Sequence, residues 1–118
     1  MTTKPSQPDL ALSIRQPFAE MILRGTKKIE YRGRPTKVRG VLYLYASKQP
    51  VEDDALWRKL KAKPGSLPTG VLVGTVEIVG CREGDDEFEW LLANPVRFAR
   101  PRTFEGHPQP SFWRPRFR

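Results

Sequence analysis

Apolar positions in this chain come in short bursts separated by proline and glycine, and their period changes along the sequence. Residues 10–14 run apolar and predict a first strand. Pro17 suits the first turn of a helix, Glu20 is favourable near its positive end, and Gly25 is placed to stop it. Phe18, Met21, Ile22 and Gly25 fall at helical spacing, which predicts that they form its core face. Residues 28–32 read as a strand. Residues 38–47 read as a stronger one, with Leu42, Leu44 and Ala46 on one face and Val41, Tyr43 and Tyr45 on the other.

Residues 51–62 predict a second helix, with Glu52, Asp53 and Asp54 near its start and Lys59, Lys61 and Lys63 near its end, as the helix dipole favours. Residues 70–82 form a long β-branched run in which Gly74 and Gly80 imply a bulge or bend. A short acidic helix is expected over 85–93. Closing strands follow over 96–104 and 112–117, with Pro101 and Pro115 confining them to edges or bulges. The expected fold is α+β: a small, strongly bent sheet or barrel with two or three helices outside it.

Composition narrows the class. The 118 residues are one domain's worth, 38% hydrophobic and 29% charged, with no apolar run long enough to cross a bilayer. Residues 1–9 have no apolar segment behind their lysine and read as a disordered polar leader to a domain over 10–118. A lone cysteine, Cys81, and a lone histidine, His107, leave no basis for a disulfide or a tetrahedral zinc site. A cytoplasmic monomer without metal or cofactor is the plain expectation. The net charge is +8, and it is uneven. Residues 1–50 carry 10 basic and 3 acidic side chains, 51–95 carry 5 and 9, and 96–118 carry 6 and 1. A basic surface built from both ends of the chain suits a polyanionic partner.

Three stretches exceed what core and turns require. In the first, a strand delivers Ser13, Arg15 and Gln16 into a helix start, where free N–H groups and an arginine fork fit an anion; solvated turn residues are the bland reading. In the second, Gly25-Thr26-Lys27-Lys28-Ile29-Glu30-Tyr31-Arg32, the strand period places Lys28, Glu30 and Arg32 on one face, with Lys27 joining them only if it belongs to the turn. Glu30 and Arg32 are close enough to pair. A carboxylate beside cations can orient them or accept a hydrogen bond from a base; a surface charge cluster is the bland reading. In the third, Tyr43, Tyr45, Ser47 and Lys48 offer a stacking platform beside a phosphate contact, or tyrosines that merely pack. Trp113 invites the same pair of readings and is assigned to the core, leaving Arg114 free to face solvent. No phosphate loop or Ser-His-Asp set can be assembled. His107 and Cys81 read as incidental and as a small hydrophobe.

Residues 12–32, LSIRQPFAEMILRGTKKIEYR, resemble the signature of the ASCH family, which pairs S-x-R-Q-P-[WF]-A with G-x-K-x-x-E-x-R. Ser13, Arg15, Gln16, Pro17, Phe18 and Ala19 match the first motif, and Gly25, Lys27, Glu30 and Arg32 match the second in full. Tyr45-Ala46-Ser47-Lys48 is similar to the family's H-A-S-K strand end. Residues 67–74, Asn94-Pro95-Val96, Phe104-Glu105-Gly106 and Phe112-Trp113 extend the resemblance over about residues 10–117.

The resemblance implies a PUA-like β-barrel with flanking helices and a cleft lined by the two motifs. It also implies a nucleic-acid-binding module, for RNA or single-stranded nucleic acid. Ser13, Arg15, Gln16, Lys27, Glu30, Arg32, Tyr45, Ser47, Lys48 and Arg114 are the candidate contacts. The alternative is a small hydrolase acting on a modified nucleoside or on RNA, with Lys27 and Glu30 catalytic. Amidohydrolase relatives have a lysine at the position of Lys27 and a threonine at that of Glu30, so this chain lacks their nucleophile. Their catalytic glutamate lies in a region near Glu87 and Glu89.

Overall fold

The computed structural model describes residues 8–117. The expected leader falls largely on residues 1–7, outside the described residues; Pro8 and Asp9 are irregular. The elements run β1 (Ala11–Ile14), α1 (Phe18–Leu23), β2 (Ile29–Arg32), β3 (Gly40–Ala46), α2 (Asp54–Leu60), β4 (Val71–Glu83), β5 (Phe88–Arg102) and β6 (Phe112–Trp113). All six strands form one sheet in the order β2-β5-β4-β3-β1-β6. β1 and β3 run parallel, and every other neighbouring pair is antiparallel. The sheet curls into a half-barrel with two helices, the small α+β, PUA-like architecture expected. Among the described residues, no helix is long and apolar enough to cross a membrane.

Curling comes from the β4–β5 ribbon, whose register shifts three times, between Leu72 and Gly74, Thr75 and Glu77, and Ile78 and Gly80. Each shift inserts unpaired residues and increases the local twist. Pro95 falls in one shift, beside Asn94 at φ 52°, and Pro101 falls in another. Prolines therefore remove no ladder hydrogen bond that the sheet needs.

The expected acidic helix over 85–93 does not form. β4 and β5 make a hairpin instead: Glu83 pairs with Phe88, and Gly84 N–H donates to the Glu87 carbonyl at 2.9 Å across the turn. Trp90 and Leu92 are buried, whereas Glu89 and Leu91, which alternate with them, are only partly covered. The period is two, not 3.6. The closing strand expected over 112–117 is also shorter. Beyond Trp113 the chain makes only an isolated bridge between Glu105 and Arg116.

Both faces of the sheet are covered. The inner core gathers Leu12, Ile14, Leu42, Leu44, Val76, Ile78 and Trp90 beneath Ala19 and Ile22 of α1. The buried stripe of α1 thus runs through Ala19 and Ile22, and Phe18 is released to a half-buried position at the helix start. On the outer face, Ala11, Tyr43, Tyr45, Leu72 and Trp113 pack with Phe98, Phe104 and Phe117, so the C-terminal segment covers β1 and β3. α2 is capped by the Asp53 carboxylate, which accepts from Leu56 N–H at 3.2 Å, and ends at Lys61 with φ 59°.

Candidate functional site

Parallel pairing of β1 with β3 sets Ser13 opposite Tyr45 and Ile14 opposite Ala46, so both strands end together at one rim of the sheet. Residues just past those ends, Arg15 and Ser47 with Lys48, then flank a cleft of about 860 Å³. Phe18 at the start of α1 and Glu30, Tyr31 and Arg32 of β2 line it, as does the segment Pro108, Gln109 and Pro110.

Lys27 reaches the cleft because α1 ends in a left-handed glycine. Gly25 has φ 80°, and the N–H groups of Thr26 and Lys27 both bond back to the Met21 carbonyl, at 3.0 and 3.1 Å. That closure keeps Lys27 in the turn and off the regular strand alternation. Its ammonium lies 3.6 Å from Glu30 Oε1, 4.9 Å from the Phe18 ring centroid and 5.3 Å from that of Tyr31.

Glu30 is buried, and its other oxygen, Oε2, accepts from Arg32 Nε at 2.7 Å. Arg32 then spends its remaining fork on backbone: Nη2 donates to the Ser13 carbonyl at 2.8 Å and Nη1 to the Pro110 carbonyl at 3.3 Å. Its guanidinium lies 5.4 Å from the Trp90 ring centroid. One side chain therefore joins β2, at one edge of the sheet, to β1 and the segment leading into β6 at the other.

Several candidate residues are bound by the protein itself. Ser13 Oγ donates to the Gln109 carbonyl at 2.6 Å and accepts from Trp113 Nε1 at 2.9 Å, fixing the far wall. Arg15 turns Nε and Nη2 onto the carbonyls of Gln49 and Pro50, at 2.8 and 2.6 Å. Gln16 is buried away from the cleft. It accepts from Glu20 N–H at 2.9 Å and donates to the Pro68 carbonyl at 3.0 Å. Tyr45 forms part of the cleft lining, but its ring is buried edge-on against Phe104 and Trp113, and burial pushes its hydroxyl pKa up. That ring is spent in the outer cluster and offers no stacking face. Arg114 is exposed and stands outside the cleft lining.

What stays open toward a ligand is Lys48, exposed and without a hydrogen-bond or ion-pair partner among the described residues, together with Ser47 and the Tyr31 ring, which is 49% exposed. Sequence reasoning placed Tyr31 on the face opposite Glu30 and passed over it. The signal was an aromatic on the outward side of a charged edge strand. The Pro108–Pro110 wall carries no local signal, because the bonds that seat it link residues 96 and 78 positions apart. The cleft thus sets Arg15, Lys27, Arg32 and Lys48 around one buried carboxylate, beside a half-exposed ring. That arrangement suits a planar group carrying negative charge.

The chain is similar to activating signal cointegrator 1 of Homo sapiens and to that of Mus musculus, at 29% identity in each case over 83% of this chain and 21% of the relative. It spans about a fifth of the length of those curated relatives. The ASCH domain model matches residues 12–105, from β1 through the start of the C-terminal segment, and the chain belongs to the ASCH domain family.

Proposed function

We propose that this domain binds single-stranded nucleic acid, RNA foremost, and holds one unstacked nucleotide in the cleft. The observation that carries the reading is the surplus of cations over carboxylate there, beside the half-exposed Tyr31 ring. Lys48 and Lys27 meet phosphate, Tyr31 stacks on the base, and Glu30 accepts from a base amino or imino group. The segregated basic ends of the chain add sequence-independent attraction.

A hydrolytic role for Glu30 and Lys27 has less support. Residue 30 is a glutamate where the amidohydrolase relatives have their threonine nucleophile, so their mechanism does not carry over to this chain.

The test is fluorescence anisotropy of a labelled single-stranded RNA titrated with wild type, Lys27→Ala and Lys48→Ala at about 0.15 M salt. Lys48 has no hydrogen-bond or ion-pair partner among the described residues, so its variant isolates ligand contact from folding. Each variant is expected to lose about tenfold in affinity, roughly 1.4 kcal/mol. Unchanged affinity in both would remove the cleft from the binding surface.

A further inference from the structure

Among the described residues, six of the twelve arginines spend side-chain donors on acceptors of the protein itself. Arg24 and Arg97 bond to Glu20, Arg32 to Glu30, Arg82 to Glu89, and Arg15 and Arg39 to backbone carbonyls. Arg102 differs. Its guanidinium carbon lies 3.6 Å from the Phe117 ring centroid and 6.0 Å from that of Tyr43, yet its N–H groups have no acceptor among the described residues. Stacking holds the face of the group and leaves its donor edge in solvent, where the side chain is exposed. An orienting contact with an unused fork is a preorganised site for an oxyanion.

Its location ties it to the cleft. Tyr43, against which Arg102 lies, shares a face of β3 with Tyr45, two residues on, and Tyr45 lines the cleft. That spacing is about 7 Å along a strand. Arg100 and Arg116, both exposed, flank the stack in sequence. Arg102 pairs with Leu72, which pairs in turn with Tyr45, so the arginine lies two strands across from a residue that lines the cleft.

We infer that Arg102, seated on Phe117, is a phosphate-contact site outside the cleft, which receives the backbone of a single strand whose neighbouring nucleotide occupies the cleft. The inference rests on the nucleic-acid reading above. It adds a direction: the strand runs from the β1–β3 rim across the outer face toward the C-terminal segment. Other exposed arginines leave their donors in solvent too, but Arg102 is the only exposed one among the described residues whose guanidinium is held in place over a ring.

The test titrates a labelled twelve-nucleotide RNA and labelled uridine monophosphate with wild type, Arg102→Gln and Arg102→Lys over a series of salt concentrations. Arg102→Gln is expected to weaken the long RNA about three- to tenfold and to reduce the salt slope by about 0.7, the value of one single-strand phosphate contact. Binding of the mononucleotide stays unchanged. Arg102→Lys keeps the slope and loses part of the affinity, since an ammonium keeps the charge without the fork. Should Arg102→Gln bind the long RNA as wild type does, with the same slope, the inference falls even where Lys27→Ala weakens binding. If Arg102→Gln weakens the long RNA while Lys27→Ala does not, the Arg102 contact stands and the cleft reading falls. Displacement of the RNA by polyglutamate of equal charge at equal concentration would overturn the phosphate assignment in favour of an acidic protein segment.

Discussion

Glu20 and Glu30 are both buried, and each is held by two cations, but to different ends. Glu20 receives a bidentate Arg97 fork at 2.8 Å on each oxygen and Arg24 Nε at 2.7 Å, which ties α1 to β5 outside the cleft lining. Hydrogen bonds from Arg97 hold its carboxyl below the ordinary value of 4.5, with burial opposing and Arg24 adding to the effect. A folded-state value below the unfolded one contributes stability that is complete above about pH 4.5 and is lost as the pH falls through the folded value. Glu20→Gln should therefore lower stability at pH 7 by about 1 to 2 kcal/mol, a discounted figure because Arg24 and Arg97 are themselves about half exposed. Melting curves from pH 7 to 3 should show the gap between variant and wild type closing below pH 4.5. A gap of constant size would mean that packing, not ionisation, is what the substitution removes. Glu30 instead has its cations on the wall of a cleft, where a ligand can compete for them. The sequence makes Ser13, Lys27, Glu30 and Arg32 conspicuous as polar groups that the core pattern does not need. It does not reveal that Gln16 and Arg15 are absorbed by backbone carbonyls more than 30 positions away, because those acceptors carry no side-chain signature.

At the level of elements, local periodicity identifies β1, β2, β3, β4 and both helices to within a few residues. It misreads the acidic segment, and the reason is physical. Asp85, Asp86 and Glu87 ahead of Trp90, Leu91 and Leu92 look like a helix start above an apolar face. Pairing with β4 decides otherwise, burying Trp90 and Leu92 and matching Arg82 to Glu89 at 2.6 Å across the ladder. That choice depends on a partner strand and not on the segment's own propensity. Gly74 marks where the ribbon must bend. A Cβ there would sit 2.1 Å from the Val96 carbonyl oxygen and 2.8 Å from Leu23 Cδ2, so β5 and α1 approach the β4 backbone as only glycine permits. Gly74→Ala forces that backbone contact open and should cost about 3 kcal/mol, lowering the melting temperature by about 10 °C. Gly33→Ala, with nothing within 4 Å of the added methyl, serves as the control and should melt within a degree or two of wild type. Equal melting of both variants would show that the ribbon relaxes at Gly74 and that the close approach is not what curls the sheet.

Across the whole molecule, the charge segregation read from the chain becomes a division of surfaces. The basic N-terminal half supplies Arg15, Lys27, Arg32 and Lys48 to the cleft, and the basic C-terminal segment supplies Arg100, Arg102, Arg114 and Arg116. The acids gather elsewhere, at the start of α2 and the tip of the β4–β5 hairpin. Charge of this kind attracts single strands and duplexes alike, so it cannot by itself select between them. On the proposed function, selection falls to the Tyr31 ring, because a base stacks on an aromatic face only after it has left its own stack, and a duplex holds its bases paired. Wild type is therefore expected to bind a single-stranded RNA about tenfold more tightly than a duplex of equal length at about 0.15 M salt. Tyr31→Ala should lose most of that preference while leaving duplex affinity within about twofold, since base stacking on an aromatic contributes about 1 to 3 kcal/mol. Tyr31→Phe, which keeps the ring, should behave as wild type. Competition anisotropy with both RNAs reads all three proteins in one series. Equal affinity of wild type for the two forms would confine recognition to charge and take the ring out of it. A preference that survives Tyr31→Ala would move selection to another feature of the cleft, with Phe18, 4.9 Å from the Lys27 ammonium, the next ring to remove.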